Sequence, residues 1–316
     1  MRLCAVTVDL DEIPCYTAIH GLPPLATPAD EAVYRAALPR FEQFFDTLGL
    51  RATFFAIGSD LAQEHAGAAL RRLFDAGHEI GNHSLDHFYD LTRRPRDEMR
   101  RQVVEGARAI ERAIGRAPSG FRAPGYTMND TLFEVLSEAG VRYDSSIFPC
   151  PAYYLAKSAI LGGYRLLGRP SRSIFGHPRV LAAPADPYRI AARYQRRGHG
   201  LLELPIGVTR DATGRLPYIG THLVLAGRGG ARLMTRLIAG RPLVNIELHG
   251  IDAADAESDG LQPLRPHQPD LRLGAHEKLD ILQDAIEQLR AAGYEFVTLA
   301  EAAECFNGSA QPPIRN

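Results

Sequence analysis

Long apolar runs are missing from this 316-residue chain. No stretch reaches the roughly 20 apolar residues that a bilayer-crossing helix needs. The four cysteines, Cys4, Cys15, Cys150 and Cys305, contain no CxxC pair. Free thiols in a reducing cytoplasm fit that scatter better than a disulfide framework. Excess charge is missing too. The formal net charge is −1, which argues against a general nucleic-acid binder. Lysine is nearly absent: Lys157 and Lys278 stand alone, and almost all positive charge is arginine. That bias reads as a property of the genome and not of the function. At the start, MRLCAVTVDLDE, the apolar stretch is short and runs straight into acids. It lacks a small-residue cleavage site, so the expectation is a cytoplasmic protein.

What is present is alternation. LCAVTVDL (3–10) reads as a buried first strand, and 29–48 as a helix with Val33, Ala37, Phe41, Phe44 and Phe45 on one face. ATFFAIG (52–58), HEIGN (78–82), GFRAP (120–124) and VRYDSS (141–146) read as strands. Helices are predicted over about 60–76, 96–115 and 129–139. The rhythm breaks over 149–200, an excursion rich in Pro, Gly, Arg and Tyr, whose most apolar part is 152–167. It resumes with LLELPIGV (201–208), a helix near 229–239, LVNIELHG (243–250), a helix over 275–292 and YEFVTL (294–299). This pattern predicts one α/β domain over 1–305 with 149–200 inserted, and a loose tail over 306–316. Seven or eight βα units suggest a distorted (β/α) barrel with an irregular insertion. A doubly wound open sheet is the alternative. Either way the site belongs at the C-terminal strand ends.

Five predicted strands deliver polar groups to that rim. TVDLDE brings Asp9, Asp11 and Glu12; NHSLDH brings His83 and His87; FRAPGY brings Arg122, Gly125 and Tyr126; YDSS brings Asp144; LHGID brings His249 and Asp252. Charge at buried strand ends needs partners. Two histidines four apart plus one carboxylate make a three-ligand metal site with open positions, which is the catalytic pattern and not the closed structural one. A second carboxylate could take a proton, a separate histidine could give one, and Arg122 could hold the basic carboxylate. The sum is metal-assisted hydrolysis of an amide or ester.

The ordered set TVDLDE, HSLDH, FRAPGY, YDSS and LHGID resembles the polysaccharide deacetylase family (NodB homology, carbohydrate esterase family 4), from about residue 3 to 300. The resemblance implies a distorted (β/α) barrel that removes acetyl groups from N-acetylated sugars with a divalent metal, usually Zn2+. It implies Asp9 as general base, Asp11, His83 and His87 as ligands, Arg122 as the group orienting Asp9, and His249 as general acid. Leu248 would line the acyl pocket, and a backbone N–H at Gly125 or Tyr126 would hold the oxyanion. The sequence departs from the family in three places, one being the 149–200 excursion, which is long for the minimal domain and would shape substrate choice. Leu10 separates the two aspartates, so Glu12 remains a rival to Asp11 as the acidic ligand. The family's fourth motif carries a tryptophan and this chain has none, so Asp144 is either a partner of His249 or structural.

The expected partner is an N-acylated amino sugar, or a glycolipid met at the inner membrane leaflet. The apolar stretch 152–167 hints at the latter. A deformylase, or another non-peptide C–N hydrolase on the same scaffold, is the second reading. A phosphatase built on the VDLDE motif would leave HSLDH without a role. A catalytically dead sugar binder would leave the complete set of acid, base and ligands without one.

Overall fold

The computed structural model describes residues 2–166, 168, 171–174 and 176–308. The strands are β1 (Leu3–Asp9), β2 (Thr53–Ala56), β3 (Glu79–Asn82), β4 (Gly120–Phe121), β5 (Tyr143–Asp144), β6 (Tyr188–Ile190), β7 (Arg197–Glu203), β8 (Leu243–His249) and β9 (Glu295–Phe296). They form one curled sheet in the order β6-β7-β5-β4-β3-β2-β1-β8, with β9 beside the start of β1. All pairings are parallel except β6 with β7. The sheet is a distorted barrel. The stretch after β7 closes it against β8, with Gly207 N–H donating to the Asn245 carbonyl at 2.8 Å. The open-sheet alternative is set aside.

The helices are α1 (Ile13–His20), α2 (Leu38–Leu48), α3 (Glu64–Asp75), α4 (Arg96–Ile114), α5 (Asp130–Glu138), α6 (Pro151–Leu166), α7 (Gly220–Ile238), α8 (Ala275–Ala291) and α9 (Leu299–Gly308). Strand periodicity sorts the central strands into two faces. In β1 and β8, the even positions Val6, Val8, Val244, Ile246 and Leu248 join the large core shared with the helices. The odd positions face into the barrel, where Thr7 Oγ1 lies 3.3 Å from Asn245 Oδ1 and Asp9 is level with His249.

The excursion at 149–200 is more regular than its composition suggests. It contains α6, β6 and the start of β7. Its helix escapes a periodicity reading because the apolar face of α6 points outward: Leu155, Ile160 and Leu166 are exposed. The expected tail at 306–316 begins inside α9, which runs to Gly308. The remainder of that tail lies outside the described residues.

Candidate metal centre and active site

The loop that carries His83 and His87 follows β3. Its histidines do not sit on a helix. Ser84 and His87 take left-handed backbone angles, φ 69° and 50°, an unusual pair for non-glycine residues. The fold enforces them. His87 N–H donates to Ser84 Oγ at 3.2 Å, and Gln102 of α4 accepts from the Asp86 N–H at 2.8 Å. Gly106 lets α4 press against this loop, since a Cβ there would meet Asn82 Oδ1 at 2.6 Å.

The loop and the β1 end bring three atoms together. Asp11 Oδ1 is 3.2 Å from His83 Nε2 and 3.2 Å from His87 Nε2, and the two Nε2 atoms are 3.2 Å apart. Ligands about 2.05 Å from a tetrahedral ion stand about 3.3 Å apart. Asp11 Oδ1 is buried, and no N–H or O–H is aimed at it. His83 Nδ1 lies 2.7 Å from the Arg122 carbonyl oxygen, which fixes its N–H there and leaves the Nε2 lone pair pointing at the cluster. Burial holds the His87 imidazole below its usual pKa, favouring the neutral form a ligand needs. Burial pushes Asp11 up, but the two histidines outweigh it and keep its carboxyl well below the usual range. A divalent ion fits this set.

Glu12 is not part of it. Its Oε1 accepts from the N–H groups of Ile13 and Val33 at 3.0 and 2.8 Å, and its Oε2 from Tyr34 at 3.1 Å. It caps the helical stretch that starts at Val33 and runs into α2. Burial pushes its carboxyl up to about 7 despite those three donors. Glu12→Ala should therefore cost about 2–4 kcal/mol of stability by orphaning three N–H groups. It should leave one metal per chain. A thermal melt with metal analysis checks this, and loss of metal from a folded variant would make Glu12 the ligand.

Beside the triangle, Asp9 is buried and paired. Its Oδ1 accepts from Arg122 Nη1 at 2.7 Å, and its Oδ2 is 3.8 Å from His83 Nε2. Arg122 is fully buried. It also donates to Thr7 Oγ1, the Ser145 carbonyl and Ser145 Oγ at 2.8–2.9 Å, and it stacks on Phe55 at 4.2 Å. Burial raises the Asp9 pKa and Arg122 only partly offsets that, so the carboxylate is more basic than an exposed aspartate.

On the far side, His249 Nδ1 lies 2.8 Å from Glu247 Oε1. No N–H is aligned on that oxygen, so the contact is foremost an ion pair. Burial disfavours the imidazolium, but Glu247 outweighs it and raises the His249 pKa well above the usual value. The Tyr126 hydroxyl is 3.3 Å from His249 Nε2. Asp252 Oδ2 accepts the His249 N–H at 2.9 Å and pins the strand end. Asp9, Glu247 and His249 also bring atoms within 4.8 Å of one another. Arg122 on Asp9 and the Glu247–His249 pair make that trio the poorer cation site.

One sequence expectation, for Leu248, is overturned here, and two open alternatives, for Asp144 and for Gly125 or Tyr126, are narrowed. Leu248 does not line the cavity. It is one residue out of step with His249, so it faces the outer core and would touch a Cβ at Gly220. Asp144 does not reach His249. Its oxygens bind the Ser146 side chain and N–H at 2.8 and 3.1 Å, and Ser146 Oγ in turn accepts the Ala123 N–H at 2.8 Å. Asp144 thus supports the strand end beside Arg122. The Tyr126 N–H is turned into the Ala123 carbonyl at 3.1 Å, which leaves its hydroxyl as the group facing the site. Gly125 keeps its rim position at φ 59°.

The cavity over these groups holds about 210 Å³, and Tyr16, Ile19, Ile219 and Ile251 form its apolar wall. Glu247, His222 and Lys157 reach it or its edge without having been singled out from sequence. For Glu247 the signal was there: Asn245, Glu247 and His249 alternate with Val244, Ile246 and Leu248, so one face of the strand is polar.

Residues 29–143 match the family described as "Polysaccharide deacetylase". A peptidoglycan deacetylase of Helicobacter pylori is 25% identical over 147 residues, 46% of this chain and 49% of that protein. A peptidoglycan-N-acetylglucosamine deacetylase of Bacillus cereus is 32% identical over 89 residues, 28% of this chain and 40% of that one. The matches thus span half or less of these relatives. A solved Mycobacterium smegmatis structure assigned to the polysaccharide deacetylases superposes with TM-score 0.60 at 19% identity, covering 100% of this chain and 95% of that one; it speaks for the fold alone. With its ordered motifs and these matches, the chain is similar to the polysaccharide deacetylases over residues 29–143 and shares the fold of the solved structure along its length.

Proposed function

We propose that this chain is a metal-dependent amide hydrolase that removes the N-acetyl group of an amino sugar. The observation that carries the reading is the 3.2 Å triangle of Asp11, His83 and His87 lying between a paired carboxylate and a paired histidine. When bound, a divalent ion, for which Zn2+ suits two imidazoles and one carboxylate, lowers the pKa of water and polarises the acyl carbonyl. Asp9 takes the proton of the attacking water. Arg122 holds Asp9 in place and prevents its rotation. His249 gives a proton to the leaving nitrogen, and Glu247 keeps His249 charged until then. The apolar wall of Tyr16, Ile219 and Ile251 accommodates the acyl methyl, in place of Leu248. That wall favours acetyl over formyl, which is the alternative substrate.

The relatives named for peptidoglycan support an N-acetylated glycan or its precursor as the substrate class. The outward apolar face of α6, with Leu155, Ile160 and Leu166 exposed beside a cavity that Lys157 of the same helix lines, supports a lipid-linked amino sugar met at the cytoplasmic side of a membrane. The test is to incubate zinc-loaded and chelator-stripped protein with soluble and lipid extracts and read acyl loss by mass spectrometry. Metal-dependent loss of acetyl is expected, and in the lipid fraction it would place the substrate there. Loss of formyl would favour the deformylase. No acyl loss with metal bound would sink the hydrolase reading.

A further inference from the structure

The cavity holds a cation that the chemistry above does not use. Lys157 enters it from α6, in the excursion that interrupts the barrel. Its Nζ donates to the Gly125 carbonyl at 3.2 Å and sits 5.8 Å from the Tyr153 ring centroid. Asp9, His83, Tyr126 and His249 line the same cavity. Among the described residues no carboxylate pairs with this ammonium. Burial alone acts on it and brings its pKa down to about 8, so at neutral pH it still carries its proton.

Lys157 is half-buried, and a charge drawn largely out of water without a counter-charge is expensive. Arg122, fully buried, has Asp9, and His249 has Glu247. Lys157 has a neutral carbonyl, the Tyr153 ring and open cavity. Its carbonyl partner belongs to Gly125, next to the tyrosine whose hydroxyl touches His249, so the ammonium sits at the edge of the reacting centre. We propose that Lys157 forms a subsite for an oxyanion, a phosphate or a carboxylate, carried on the same sugar as the scissile N-acyl group. The proposal rests on the reading of the site as an N-deacetylase and names which amino sugars it prefers: anionic ones. A lysine suits this task, being a compact point charge with three donors, one spent on Gly125 and two left for the anion. The rival role is a strut that fixes the left-handed turn at Gly125.

The test compares the zinc-loaded wild type with Lys157→Met and Lys157→Arg. The substrates are methyl N-acetylglucosaminide, N-acetylglucosamine 1-phosphate and N-acetylmuramic acid. Acetate release gives kcat and KM. The wild type is expected to favour one anionic sugar over the neutral one by roughly 10- to 100-fold in kcat/KM, mostly through KM. Lys157→Met should lose that preference and Lys157→Arg should keep part of it. Which sugar is favoured tells phosphate from carboxylate. An equal loss on all three substrates in Lys157→Met would make the residue a strut and overturn the proposal, as would a wild type with no preference. Calorimetric binding of glucosamine 1-phosphate and methyl glucosaminide to wild type and Lys157→Met separates the two readings. Lysine-dependent binding of the phosphate without acetate release from any sugar would remove the deacetylase and keep the anion site. Lysine-independent binding without acetate release would remove both.

Discussion

Asp9→Asn should lower kcat/KM by about 100- to 10,000-fold, the range expected when a general base is lost. That is about 3–5 kcal/mol of transition-state stabilisation. Asparagine has the size of aspartate and keeps an oxygen for Arg122 Nη1, which lies 2.7 Å from Asp9 Oδ1. Arg122 also keeps Thr7 Oγ1, the Ser145 carbonyl and Ser145 Oγ. The guanidinium therefore loses its counter-charge but not its hydrogen bonds. The stability cost should fall below the roughly 3–5 kcal/mol of a buried pair broken outright. The proposed ligands Asp11, His83 and His87 are untouched, so metal stoichiometry should stay at one. Steady-state kinetics, a melt and metal analysis on one preparation read all three. Full turnover would show that another group takes the proton, and loss of metal would show that Asp9 belongs to the ligand set.

Much of this site was legible because each motif follows a strand, and strand ends of a barrel share one rim. Asp9, Asp11, His83, His87, Arg122 and His249 come from strands far apart in sequence, and all but Arg122, buried between Asp9 and Ser145, line one cavity or its neighbour at His87. Three things were not legible for three reasons. The choice between Asp11 and Glu12 depends on which carboxylate meets the N–H groups of Val33 and Tyr34, a contact between distant parts of the chain. Leu248 was placed by motif and not by pleat, and a one-residue step on a strand reverses the face. The helix α6 hides because its apolar residues face outward, so its pattern lacks the inward stripe of a packed helix. That helix is also what carries Lys157 into the cavity. Composition marked 149–200 as different. Only packing shows that it forms one wall of the site.

The chain has no tryptophan, and Asp144 is bound to Ser146, so charge reaches His249 from elsewhere on its own strand. Glu247 is two residues upstream and fully buried. Glu247→Gln keeps the shape and removes that charge. His249 must be protonated to act as acid, and Glu247 is the foremost group raising its pKa against burial. In Glu247→Gln the His249 pKa falls, so the alkaline limb of the kcat/KM profile moves to lower pH. Near neutral pH, activity should drop about 10- to 100-fold, and part of it should return as the pH is lowered. The sign for stability follows from the same pair. The raised His249 pKa contributes stability that is fully present below about 6.5 and is lost as pH rises through the folded value. The lowered Glu247 pKa contributes stability that is present above about 4.3 and is lost on acidification. The wild type's advantage over Glu247→Gln in a melt should thus be widest between those values and shrink on both sides. In a His249→Asn background, Glu247→Gln should have little further effect on rate, since groups that act as a unit are not additive. A uniform loss of activity with an unmoved pH limb would make Glu247 a packing residue. A loss of metal would move the ion toward the Asp9, Glu247 and His249 side of the cavity.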